Sequence, residues 1–113
     1  MVNKDYVPDR GDIIWLTFTP LAGHEQMGRR PALVLSHKLY NQKTKLAIVC
    51  PITSKVKGYP FEVIVECRSI NGAVLSDQIK NLDWKERKAE FIEKADIDAI
   101  EEVIAKIKAL IIE

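Results

Sequence analysis

Apolar residues along this chain come in short blocks separated by polar turns, and most blocks carry the period of two that a strand requires. IIWLTFT at 13–19 is rich in β-branched and aromatic residues and follows the turn signal PDRGD, so it predicts a strand. PALVLSH at 31–37 predicts a second, with Pro31 at its start, where the missing N–H removes no important ladder bond. KLAIVCPIT at 45–53 predicts a third, separated from the second by the polar turn YNQKT. In FEVIVEC at 61–67, Phe61, Val63, Val65 and Cys67 fall on one face and Glu62, Ile64 and Glu66 on the other, the mark of a half-buried strand. GAVLSDQ at 72–78 follows Asn71-Gly72, a hairpin signal, and AEFIEK at 89–94 adds a short sixth strand.

The period changes near the end. Ile97, Ile100, Val103, Ile104, Ile107, Leu110 and Ile111 recur every three or four residues and form one apolar stripe on a helix. Asp96 or Asp98 caps its start, Asp98 with Glu101 matches a capping box, and Glu102 with Lys106 can pair on the outer face. Five or six short strands and a terminal helix predict a mainly β domain over residues 1–113. The expected form is a bent antiparallel sheet or partial barrel, with the helix over one open side. No strand–helix–strand rhythm is present, which argues against a parallel nucleotide-binding sheet.

Composition changes this picture little. At 113 residues and 47% hydrophobic, the chain can bury one modest core and is too apolar for disorder. The net charge of +1 hides an asymmetry: residues 1–60 carry nine Lys/Arg and four Asp/Glu, residues 61–113 eight and twelve. The basic half suits an anionic partner. No apolar run approaches a membrane span, and MVNKDYVPDRGD lacks a hydrophobic signal region, so a cytoplasmic location is expected. In that compartment Cys50 and Cys67 read as buried thiols rather than a disulfide. Without a CxxC or a His/Cys cluster, a zinc site is not expected.

The candidate chemistry lies in PLAGHEQMGRR at 20–30, a long polar loop between two apolar strands. Gly23 and Gly28 allow close backbone approach, and a guanidinium from Arg29 or Arg30 can hold a phosphate through two hydrogen bonds. Strand alternation sends the two arginines opposite ways, so only one faces any given pocket. If the third strand lies beside the second, Thr53 approaches Arg30, with Lys55 and Lys57 following. That set would stabilise the extra charge of a pentacoordinate phosphorane. Lys57 is placed for a phosphate contact. Phe18 and Trp15 lie on opposite faces, one in the core and the other free to stack on a base, and Phe18 is taken as the base platform. Asp77 and Gln78 either bond a base edge or serve a dimer contact.

The sequence resembles the MazF/PemK family of toxin endoribonucleases, or mRNA interferases. The matching stretches are YVPDRGDIIW, F-x-P at 18–20, G-x-EQ-x-G-x-RPALVLS at 23–36, Y-N-x-KT at 40–44, P-x-T at 51–53, KGYPFEV at 57–63, DQIK at 77–80 and KIKALI at 106–111. Together they cover nearly the whole length. The resemblance implies a small, partly open SH3-like barrel, a homodimer, and sequence-specific cleavage of single-stranded RNA without metal or cofactor. It also implies a cognate antitoxin that lays an acidic segment over the RNA groove. The products would be a 2′,3′-cyclic phosphate and a 5′-hydroxyl. Carried over by position, the essential arginine falls on Arg30, the threonine on Thr53 and the glutamate on Glu25. Arg30 would stabilise transition-state charge, or also shuttle a proton, although a guanidinium is a poor base. Thr53 would donate to a non-bridging oxygen, while Glu25 would take the 2′-hydroxyl proton or orient Arg30. His24 is either a general base or an exposed loop residue. Two alternatives stand beside the ribonuclease: a toxin of the same fold that binds DNA gyrase without cutting, and a catalytically dead RNA-binding barrel. Arg30 and Thr53 together with the EQ-x-G-x-RP loop favour the nuclease.

Overall fold

A computed structural model describes residues 5–18 and 28–112. Among the described residues are seven strands and two helices: β1 Asp12–Thr17, β2 Arg29–Val34, α1 Lys38–Thr44, β3 Leu46–Thr53, β4 Glu62–Glu66, β5 Asn71–Leu75, β6 Lys80–Asp83, β7 Glu90–Lys94 and α2 Ile97–Ile111. Six antiparallel strands follow the path β4-β5-β3-β2-β1-β7, and the short β6 pairs with β3 beside it. This is the partly open barrel expected, with the terminal helix in place.

The alternation of each strand explains the packing. On β1, Ile13 enters one apolar cluster with Leu33, Cys50, Ile52, Val63, Val65, Val74 and Val103. Ile14 and Leu16 enter a second with Ala32, Val34, Ala47, Val49 and Trp84. Covering both faces makes β1 a nearly continuous apolar run. Gly11 precedes it in a turn closed by the Asp12 N–H to the Asp9 carbonyl at 3.0 Å, and its φ of 92° is a conformation side chains resist.

Several expectations need correction. YNQKT is not a turn but part of α1, because its Asn41 is fully buried. The Asn41 amide donates to the carbonyls of Pro8 (2.8 Å) and Ser36 (3.1 Å), its Oδ1 accepts from Ser36 Oγ (2.5 Å), and its backbone carbonyl accepts from Trp84 Nε1 (2.9 Å). The β4–β5 turn lies at 67–70, closed by the Cys67 N–H to the Ile70 carbonyl at 2.9 Å, so Asn71 and Gly72 begin β5. On α2, Asp96 sits at the N-cap without a side-chain cap bond, and Lys106 Nζ donates to the Pro60 carbonyl at 2.6 Å. The apolar stripe of α2 is only partly core: Val103 is buried and Ile100, Ile104 and Ile107 pack beside it, but Ile97, Leu110 and Ile111 are exposed.

Candidate active site

The register of the central strands brings two of the expected residues, Arg30 and Thr53, together. β2 and β3 pair antiparallel at Ala32–Pro51, Leu33–Cys50 and Val34–Val49. Continuing that register by two residues sets Arg30 opposite Thr53. Both line a cavity of about 430 Å³ with Trp15, Pro31, Ile52, Ser54, Lys55, Ser69, Ile70 and Asn71. Its described lining contains two cations and no carboxylate, and Arg30 is exposed to it. Such a hollow attracts a polyanion.

The Thr53 hydroxyl is held by its own backbone. Its oxygen accepts the Lys55 N–H at 3.1 Å, which leaves the O–H proton free to donate. Gly72 of β5 comes so close beneath it that a Cβ there would stand 2.2 Å from the Thr53 carbonyl oxygen. The Asn71-Gly72 pair therefore marks a close approach of backbones, not a hairpin turn.

Arg29 serves a different purpose. Its Nη1 donates to Thr17 Oγ1 at 3.0 Å, and its Nη2 to the Lys88 carbonyl at 2.8 Å and to Glu90 Oε1 at 3.4 Å. Arg87 completes the seam by donating to the carbonyls of Thr17 (2.9 Å) and Phe18 (2.8 Å). The opposite facing of the two arginines agrees with strand alternation.

The other expected contacts divide. Phe18 packs against the cluster of Ile14 and Leu16, so Trp15, three residues earlier and on the opposite face, takes the cavity side. Lys57 lies outside the lining and Lys55 within it; the Lys57 N–H is bonded to the Glu62 carboxylate at 3.1 Å. Gln78 also lies outside, exposed, with its N–H on the Leu75 carbonyl, while neighbouring Asp77 accepts from the Tyr59 hydroxyl. That bond raises the Tyr59 pKa. Glu25 and His24 fall outside the described residues. Ser69 and Asn71 carried no sequence signal as site residues, because only the β4–β5 hairpin brings them to β3.

A second hollow, about 520 Å³, is chemically different. It is lined by Tyr6, Val7, Phe91, four carboxylates and two lysines. Asp12, 3% exposed, accepts from Tyr6 Oη (2.5 Å) and the Asp9 N–H (3.0 Å), and Lys94 Nζ stands 2.6 Å from its other oxygen. Burial and this carboxylate raise the Tyr6 pKa. Among the described residues Asp12 Oδ1 has this ion pair but no hydrogen bond, and four carboxylates make the hollow a poor match for an anion.

Residues 9–111 match the family model of the PemK-like, MazF-like toxin of type II toxin-antitoxin systems. The chain belongs to this family. The Escherichia coli (strain K12) endoribonuclease toxin MazF is 43% identical over 111 residues, covering 98% of this chain and 99% of that protein. A crystal structure of Deinococcus radiodurans MazF superposes with a TM-score of 0.85 at 52% identity, covering 94% of this chain and 97% of that one. A MazE–MazF complex from the same organism gives a TM-score of 0.83 at 46% identity, covering 94% and 96%. Membership of a MazF-like family favours the nuclease over the gyrase-binding alternative. Among the described residues, no helix is long and apolar enough to cross a membrane.

Proposed function

We propose that this MazF-like toxin endoribonuclease cuts single-stranded RNA in the cavity between Arg30 and Thr53, by attack of the RNA's own 2′-hydroxyl on the adjacent phosphorus. The observation carrying this reading is the convergence of a guanidinium and a hydroxyl, from separate strands, on one hollow free of carboxylates among its described lining. The 2′-oxygen forms a bond to phosphorus as the 5′-oxygen leaves, so the products are a 2′,3′-cyclic phosphate and a 5′-hydroxyl. One proton leaves the nucleophile and one reaches the leaving group. Charge builds on the non-bridging oxygens, where donors from Arg30 and Thr53 act most strongly. The nucleophile is already on the substrate, so no metal-bound water is required, and DNA should resist. Trp15 offers a face for base stacking, and Lys55 a phosphate contact. Glu25 remains the family's candidate to accept the 2′-hydroxyl proton or to orient Arg30.

The same cationic hollow suits an acidic, extended segment of a cognate antitoxin, which would compete with RNA. The exposed Ile97, Leu110 and Ile111 of α2, with Ile112 just after it, support the homodimer. The test is incubation of purified protein with mixed-sequence single-stranded RNA in excess EDTA, beside Arg30→Ala and Thr53→Ala. Cleavage by the unaltered protein alone is expected. Intact RNA throughout removes the proposed chemistry, and cleavage surviving both substitutions removes the site assignment.

A further inference from the structure

Glu93 links two parts of the barrel that the strand path keeps farthest apart. β7 ends that path on one side and the β4–β5 hairpin on the other. Between the pairs Ile13–Glu93 and Ile14–Phe91 the ladder slips by one residue at Ile92, a bulge of the kind that bends a strand and re-aims its side chains. From there the Glu93 carboxylate reaches the hairpin turn. Oε1 accepts the Arg68 N–H at 3.2 Å, and Oε2 accepts those of Ser69 (2.9 Å) and Ile70 (3.0 Å). Three main-chain donors on one carboxylate make a charge-assisted clamp. The clamped turn leads into one wall of the active-site cavity, formed by Ser69, Ile70 and Asn71.

We propose that Glu93 is a positioning residue for RNA: by fixing the turn at 68–70 it holds Ser69 and Asn71 where they meet the nucleotides flanking the scissile phosphodiester. The inference rests on reading this cavity as the RNA site. Ser69 and Asn71 bring a hydroxyl and an amide, which suit sugar and base edges. These contacts go to sugar and base rather than to the scissile phosphate, and are made equally in ground and transition states. Their loss therefore raises KM and leaves kcat nearly unchanged.

Electrostatics alone predicts the reverse sign. Deleting a carboxylate beside a polyanion site should tighten binding, so a rise in KM separates positioning from charge. The experiment measures cleavage of mixed-sequence single-stranded RNA and amide hydrogen exchange for Glu93→Ala, Glu93→Gln and the control Glu66→Ala. Glu66 is exposed on β4, and its removal changes charge equally. For Glu93→Ala, KM should rise about fivefold with kcat within about twofold, and the amides of Ser69 and Ile70 should exchange roughly tenfold faster. Glu93→Gln keeps one accepting oxygen and should fall between Glu93→Ala and the unaltered protein. If Glu93→Ala does not fold, Glu93→Gln alone should raise KM about twofold. An unchanged or lower KM, or a fall confined to kcat, overturns the proposal. Unaltered exchange at 68–70 overturns it without reference to activity. If Arg30→Ala still cleaves, the site reading fails and this inference with it. If cleavage needs Arg30 but KM ignores Glu93, only the positioning role fails.

Discussion

On one side of β2 the Arg29 guanidinium is bonded to Thr17, the Lys88 carbonyl and Glu90; on the other the Arg30 guanidinium stands exposed beside Thr53 and Lys55. The two residues share a peptide bond, a charge and a side-chain type. What separates them is the surroundings that strand alternation assigns to each. Arg29 joins β1 and β2 to the loop before β7, so its contribution is to folding. Arg30 meets no carboxylate among the described residues lining its cavity, and its side chain is exposed. The two hollows repeat the lesson: four carboxylates outnumber two lysines around the larger, while the described lining of the smaller carries cations and no carboxylate.

The sharpest way to break this comparison is to truncate each arginine. Arg30→Ala should lower kcat/KM by about a thousandfold, roughly 4 kcal/mol of transition-state stabilisation, with the thermal midpoint unchanged. Arg29→Ala should lose about 2 kcal/mol of folding stability in urea while the folded fraction keeps its activity. Equal loss of activity in both variants would make the two sides of β2 functionally alike. Next in size is Gly72→Ala. The new methyl would collide with the Thr53 carbonyl, and the strands must part at a cost of about 3 kcal/mol, read by circular dichroism melting.

Thr53→Ala should reduce kcat by about a hundredfold. Thr53→Ser keeps the donor and should restore most of that rate in the same cleavage assay. The effect that is smallest at neutral pH concerns Cys50, which is fully buried. Burial, reinforced by the Asp77 charge, pushes its thiol up from 9.0 to about 12. The folded state thus holds the proton more tightly than the unfolded chain does. Its contribution to stability is complete below pH 9 and is lost as pH rises from 9 towards 12, with a limiting slope of about 1.4 kcal/mol per pH unit. Urea midpoints measured across that range should fall, and Cys50→Ala should flatten the fall.

Much of the fold was legible because burial imposes a period. Alternation in FEVIVEC placed Val63 and Val65 inside and Ile64 outside, as the structure has them. The three- and four-residue spacing at the end of the chain located α2. α1 was missed because no apolar stripe announces it; its helix is anchored by one buried residue, Asn41, whose amide bonds Pro8 and Ser36 and whose backbone carbonyl accepts from Trp84. β6 was missed because KNLD is mostly exposed and looks like a loop until β3 pairs with it. Asn71-Gly72 matched a turn signal for a local reason, whereas the actual constraint comes from Thr53 on another strand.

Within the site the same boundary holds. Arg30 and Thr53 were nominated by side-chain chemistry, by alternation and by the family motif, all of which are properties of short stretches. That Trp15 and Lys55 line the cavity while Phe18 and Lys57 do not, the wall at Ser69 to Asn71, and the Glu93 clamp were decided by tertiary structure alone. Periodicity tells which way a side chain faces from its own strand, and it needs only neighbouring residues. Which groups meet across a cavity depends on the register and bending of strands far apart in the chain, and those are settled only when the whole barrel packs.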